Sequence, residues 1–239
     1  MDYVSEKNIR SFDNYKDNKV GIKDGYDARK YAFAPGNYWA KYLACTRNTA
    51  IIIGSNIFVH GGLVPDLLDM YHKNIDELNI AVRHWLLGKI SEHNISKVLN
   101  SKDISPFWVR LLGTDTPDIE GYCANILPKI QTYLGVSGMI IGHTPQRFIN
   151  GKGINSICDE KIWRVDQGNA RAFDPFLNGR DHFPVQVLEI IDDRKFNIIS
   201  FGEQRIKKKY PKINNIIDDI YYLFPPDVAN FRKYFLNIH

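Results

Sequence analysis

The chain has 239 residues, of which 44% are hydrophobic, 13% aromatic and 24% charged. That hydrophobic share supports a buried core and excludes wholesale disorder, and the length fits one large domain or two small ones. The 31 Lys and Arg set against 27 Asp and Glu leave a formal net charge of +4, which permits an anionic substrate without calling for nucleic acid.

Apolar runs are strand-sized, far from the ~18–20 residues that cross a bilayer. The opening Met1-Asp2-Tyr3-Val4-Ser5-Glu6-Lys7 is polar, so neither a membrane partner nor a secretory leader is expected. Cys45, Cys123 and Cys158 are widely spaced, with no CxxC. This reads as a reducing, cytoplasmic or intracellular compartment and argues against a disulfide framework or a cysteine-built zinc site.

In chain order, Asp13 to Asp27 is polar and turn-rich and predicts a loop or mobile arm, so residues 1–34 are set apart as an N-terminal arm. Pro35-Gly36 opens a helix running to about Ala44, with Trp39, Ala40 and Leu43 at helical spacing. Ala50–Ile53 and Ile57–His60, separated by Gly54-Ser55-Asn56, predict a hairpin. Residues 66–100 read as helical, and 119–134 as a helix that Pro128 kinks or divides. Further strands are expected at Val136–Ile141, Lys161–Val165, and Val185–Ile191 paired with Phe196–Phe201 across Asp192-Asp193-Arg194-Lys195. Residues 204–239 form a basic run, Arg205-Ile206-Lys207-Lys208-Lys209, and then aromatic residues at helical spacing, read as packing helices. The order is mixed α and β with hairpins, an α+β class.

Two histidines share one setting. His60 follows Ile57-Phe58-Val59 and precedes Gly61-Gly62; His143 follows Met139-Ile140-Ile141-Gly142 and precedes Thr144-Pro145. Each stands where a buried strand stops, a rigid position next to a variable loop. Neighbouring glycines allow close backbone approach, and neutral imidazole is the commonest protein metal ligand. Taken singly, each reads first as a core histidine hydrogen-bonded at a strand end; the repeat of the setting in one chain brings the site reading level with it.

The string Phe58-Val59-His60-Gly61-Gly62-Leu63-Val64-Pro65 resembles the FVHGGLxP motif of calcineurin-like metallophosphoesterases, in the phosphoprotein phosphatase branch and its Shewanella-like type. Three later segments resemble family motifs in the same order: Pro106-Phe107-Trp108-Val109-Arg110, Ile140-Ile141-Gly142-His143-Thr144-Pro145-Gln146, and Arg164-Val165-Asp166-Gln167-Gly168-Asn169-Ala170-Arg171-Ala172-Phe173. The resemblance covers roughly residues 30–202. It implies a sandwich of mixed β-sheets flanked by helices, with 35–203 as the C-terminal part of the phosphoesterase domain.

The resemblance also implies two divalent metals (manganese, iron or zinc) that activate a water for attack on a phosphomonoester, as in Ser/Thr protein phosphatases. His60 and His143 would ligate one metal, and Arg110 would hold phosphate oxygens. Gly61, Gly62, Gly142, Thr144 and Asp166 would support the site, Asp166 bracing the loop or a histidine. A phosphorylated substrate, such as a phosphoprotein, is the implied partner.

The family's GDxHG, GDxxDRG and GNHE motifs are absent, and only 57 residues precede Phe58. The expectation is an incomplete hydrolase lacking the N-terminal βα units, with weak or no metal binding on its own. Three origins stay open: a split or truncated gene, a degenerate relic, and a chain complemented by a separate N-terminal chain. The alternative function is a non-catalytic binding or scaffolding remnant.

Overall fold

The computed structural model describes residues 9–13, 21–168 and 184–201. All belong to the first of two compact units, Met1–Gly202; the second, Glu203–His239, lies outside the described residues. The expected C-terminal helices and the Asn169–Phe173 part of the last motif therefore lie outside them too.

Two helices, α1 (Gly25–Phe33) and α2 (Tyr38–Thr46), lead into β1 (Ala50–Ile53) and β2 (Asn56–Val59). Next come α3 (Pro65–Met70), α4 (Ile75–Leu86) and α5 (Glu92–Asn100). A short helix α6 (Asp118–Gly121), a π-helical turn (Tyr122–Ile126) and α7 (Leu127–Leu134) precede β3 (Gly138–Ile141). Then follow α8 (Gln146–Ile149), β4 (Asn155–Ile157), β5 (Ile162–Arg164) and the pair β6 (Val185–Ile191) and β7 (Lys195–Phe201).

The polar opening read as a loop to Asp27 becomes helical at Gly25, because Asp24 caps the helix by accepting the Asp27 N–H at 2.9 Å. The helical stretch 66–100 is three helices. His72 and Lys73 adopt left-handed backbone (φ 51° and 59°), Gly88 does the same (φ 71°), and Asn74 and Ser91 cap the helices that follow. Pro128 stands in the first turn of α7, and the backbone widens into a π turn just before it.

β1 to β5 form one sheet in the order β1-β2-β3-β5-β4. β2, β3 and β5 are parallel neighbours; β1 and β4 run antiparallel at the two edges. β3 is buried throughout, which is why it reads as an unbroken apolar run. Phe58, Ile140 and Trp163 stand in register on one face. There they meet Leu188, Ile190 and Phe196 of the β6–β7 hairpin, and Trp163 stacks on Phe196 with centroids 5.1 Å apart. Ile57, Met139 and Ile162 join the main core with Leu67, Leu78, Val82, Leu127 and Ile130.

The hairpin tip is tied back to the sheet. The Asp193 carboxylate accepts the Ser55 N–H and the Asn56 amide, both at 2.6 Å, and the Ser55 bonds foremost hold its pKa below the ordinary value. At the β1 edge, the buried Asn79 side chain of α4 accepts the Thr49 and Ala50 N–H groups (2.8 and 3.1 Å). It also donates to the Ala50 carbonyl at 2.9 Å.

The cysteine reading is corrected: Cys123 of the π turn and Cys158 of the β4–β5 turn form a disulfide, with Cα atoms 5.2 Å apart. Tertiary folding brings together two residues whose separation of 35 carries no pairing signal. Among the described residues, no helix is long and apolar enough to cross a membrane.

Candidate active site

β2, β3 and β5 pair with Val59 beside Ile141 and Ile141 beside Arg164, so their C-terminal ends are level. One residue past β2 stands His60, two past β3 His143, and two past β5 Asp166. The parallel register thus delivers three widely separated sequence positions to one sheet end.

His60 Nε2 lies 3.1 Å from His143 Nδ1, with ring centroids 4.8 Å apart. His143 reaches this pose with a left-handed backbone (φ 65°), and the preceding Gly142 N–H donates to the His60 carbonyl at 2.8 Å. A Cβ at Gly142 would stand 3.6 Å from the His60 carbonyl oxygen, an ordinary contact that does not demand glycine.

The Arg110 segment docks onto this loop. Gly61 N–H donates to the Pro106 carbonyl at 2.6 Å, and a Cβ on Gly61 would stand 3.0 Å from the Pro106 and Val109 carbonyl oxygens. Gly62 has φ 141°, a region that side chains avoid. Thr144 is buried against Gly113, where a Cβ would collide with it. The Gly113 carbonyl accepts the Gln146 amide at 2.8 Å.

His60, His143, Arg110 and Asp166 line one cleft of about 1050 Å³, walled by Phe58, Trp85, Leu99, Phe107 and Trp108. Burial, foremost, pushes the His143 pKa down to about 4, aided by the Arg110 and His60 charges. Burial likewise lowers His60, with Asp166 opposing and Arg110 reinforcing the shift. Both imidazoles are therefore neutral at pH 7, and across the Nε2–Nδ1 contact one ring donates its N–H to the lone pair of the other.

The site suits a cation in part. Two neutral ring nitrogens 3.1 Å apart are spaced as neighbours around one ion that each approaches to roughly 2.0–2.1 Å. On the far side of the His143 ring, Nε2 is buried without a well-formed hydrogen bond. The Trp108 carbonyl lies near enough to favour the protonated ring slightly, in the place where ligating histidines usually find an acceptor. Among the described residues, no group of three or more His, Cys, Asp or Glu is gathered around an ion-sized space.

Sequence reasoning missed the residues that hold the site. Trp108 packs edge-on against His143, with centroids 5.7 Å apart, and its indole N–H donates to the Leu99 carbonyl at 2.7 Å. Arg164, 1% exposed, donates to the carbonyls of Leu112 (2.7 Å) and Thr114 (3.0 Å) and pairs with Asp115. It therefore anchors the chain just after Arg110. The available signal was an arginine at the core-facing position of a three-residue strand.

No protein-family model matches the chain. It is 28% identical over 177 residues to Shewanella-like protein phosphatase 2 of Arabidopsis thaliana, a distant homology covering 74% of this chain and 41% of the plant protein. The solved structure of the cold-active protein-tyrosine phosphatase of a psychrophilic Shewanella species matches 64% of this chain and 43% of its own. The TM-score is 0.42 and the sequence identity 18%. A nearer relative is protein R398 of Acanthamoeba polyphaga mimivirus, uncharacterized, 39% identical over 220 residues. Since that match takes in 84% of this chain and 85% of the viral protein, the chain belongs to the same family as mimivirus R398.

Proposed function

We propose that this chain carries half of a metal-dependent phosphomonoester hydrolase site, related to protein phosphatases and acting on a phosphorylated substrate such as a phosphoprotein. The observation that carries this reading is the His60–His143 pair, 3.1 Å apart at the ends of adjacent parallel strands, with Arg110 in the same cleft. His60 and His143 hold one divalent ion, manganese, iron or zinc. When bound, that ion supplies Lewis-acid polarisation of a phosphate oxygen. Arg110 offers a planar fork of donors to the other phosphate oxygens. Asp166 lines the same cleft, where its charge favours the protonated form of His60 and opposes the effect of burial.

The remaining ligands come from the missing family motifs, on a preceding segment or a separate complementing chain. The expected result is essentially no hydrolysis of an aryl phosphate by 1–239 with manganese. Turnover should follow addition of a family N-terminal segment bearing GDxHG, GDxxDRG and GNHE, and His60→Ala or His143→Ala should each remove it by about a hundredfold or more. Turnover that survives both substitutions would sink the assignment.

A second reading, a non-catalytic binding remnant, is favoured by the two-ligand count among the described residues and by the apolar lining of the cleft. It expects no turnover even after the N-terminal segment is supplied.

A further inference from the structure

We propose that Cys123 and Cys158 form a reversible redox latch on the loop that follows His60, opened by thiols of the glutathione or protein-dithiol class. Cys123 follows Tyr122, a side chain 1% exposed whose hydroxyl donates to the Leu63 carbonyl at 2.7 Å. Leu63 lies three residues past His60, so the π turn that carries the cysteine also fastens the loop that carries the histidine. At its other end the bridge holds the turn between β4 and β5, and β5 leads to Arg164 and Asp166. One bond thus ties the π turn that fastens the loop after His60 to the turn that enters β5, at the opposite end of that strand from Asp166.

Two features make the bridge a latch rather than an inert staple. Both cysteines are half-buried, next to the exposed residues Ala124, Asn125, Asp159 and Glu160, so a small thiol has access without unfolding. In addition, Cys158, Asp159 and Glu160 are three successive non-glycine residues in left-handed backbone, with φ 56°, 53° and 59°. L-residues avoid such a run. The bridge and the pairing of β4 with β5 hold it in place, so opening the bond removes one of the two constraints on the turn.

The chemistry balances. A thiolate attacks one bridge sulfur, forms a mixed disulfide and releases the other cysteine as a thiolate, which takes up a proton. A second thiolate then attacks the small-molecule sulfur of that mixed disulfide and expels the remaining cysteine as a thiolate, which is protonated, leaving two protein thiols and one small-molecule disulfide; the protein gains two electrons and the thiols lose two.

The latch is a regulatory element of the site proposed above and takes its meaning from that reading, but its test needs neither metal nor substrate. The full chain is prepared in a Cys45→Ser background, because Cys45 is exposed and would scramble the exchange. The oxidised protein should give a Cys123–Cys158 linked peptide, and millimolar glutathione should open it under native conditions. Opening should lower Tm by roughly 5–15 °C and raise amide exchange at Gly61 to Leu63 by on the order of tenfold. Cys123→Ser and Cys158→Ser should each match the reduced protein and no longer respond to thiol, and oxidised glutathione should restore the slow exchange in the reduced parent. The proposal is overturned if the folded chain forms no bridge under oxidised glutathione, if opening requires denaturant, or if exchange at Gly61 to Leu63 is the same in both redox states.

Discussion

Arg164 is a full charge inside the core, and its environment explains why it is tolerated there. Two carbonyls and one carboxylate satisfy its donors, and the carboxylate, Asp115, sits at the rim with its side chain 52% exposed. Arg164→Met removes the donors while Asp115 re-enters water, leaving the Leu112 and Thr114 carbonyls unpaired; urea unfolding should show a loss of about 2–3 kcal/mol. The hydrogen bond to Arg164, foremost, depresses the Asp115 pKa. A depressed carboxyl contributes stability that is complete above its unfolded pKa of about 3.9 and fades as pH falls through the lower folded value. Melting curves from pH 6 down to 2.5 should therefore show a smaller acid-side loss in Asp115→Asn than in the parent. An equal loss in both would remove Asp115 from the acid response.

At the scale of elements, the β6–β7 hairpin rests on the sheet through Trp163 and Phe196 and through the Asp193 tie. Phe196→Ala should cost about 2 kcal/mol, since its ring is only partly buried. It should make residues 185–201 a preferred site of limited proteolysis while the helices keep their circular dichroism.

Which elements were legible follows from how local their causes are. Strand ends at Val59 and Ile141 are written in short apolar runs that stop at a histidine, and parallel adjacency of β2 and β3 then makes neighbours of His60 and His143. The first break inside 66–100 was not legible, because His72 and Lys73 adopt left-handed backbone without a glycine to announce it; the second falls at Gly88, which the sequence does show. Strand β4, Asn155-Ser156-Ile157, is polar and exists because β5 offers it an edge. The Cys123–Cys158 bridge, the Arg164 anchor and the Trp108 contact depend on chain segments that meet only after folding.

For the molecule as a whole, the β1 edge stands out. Ile51, Ile52 and Ile53 remain 44%, 39% and 57% exposed on an outer strand. Such an edge invites unplanned strand pairing. Ile53→Lys should raise the concentration at which light scattering first grows, with Tm changed by no more than about 2 °C. A fall in Tm beyond that would mean the side chain is buried against something.

The edge is also partly closed, by the Asn79 carboxamide where the next strand's backbone would be. That carboxamide belongs to a helix, so the outermost rung of the sheet exists only while α4 is docked. Sheet margin and helix must then come apart together: the amides of Thr49 and Ala50 should exchange with solvent at the rate set by helix undocking, not by fraying of β1. Asn79→Leu would convert one cooperative opening into two separate ones, with the strand end opening first.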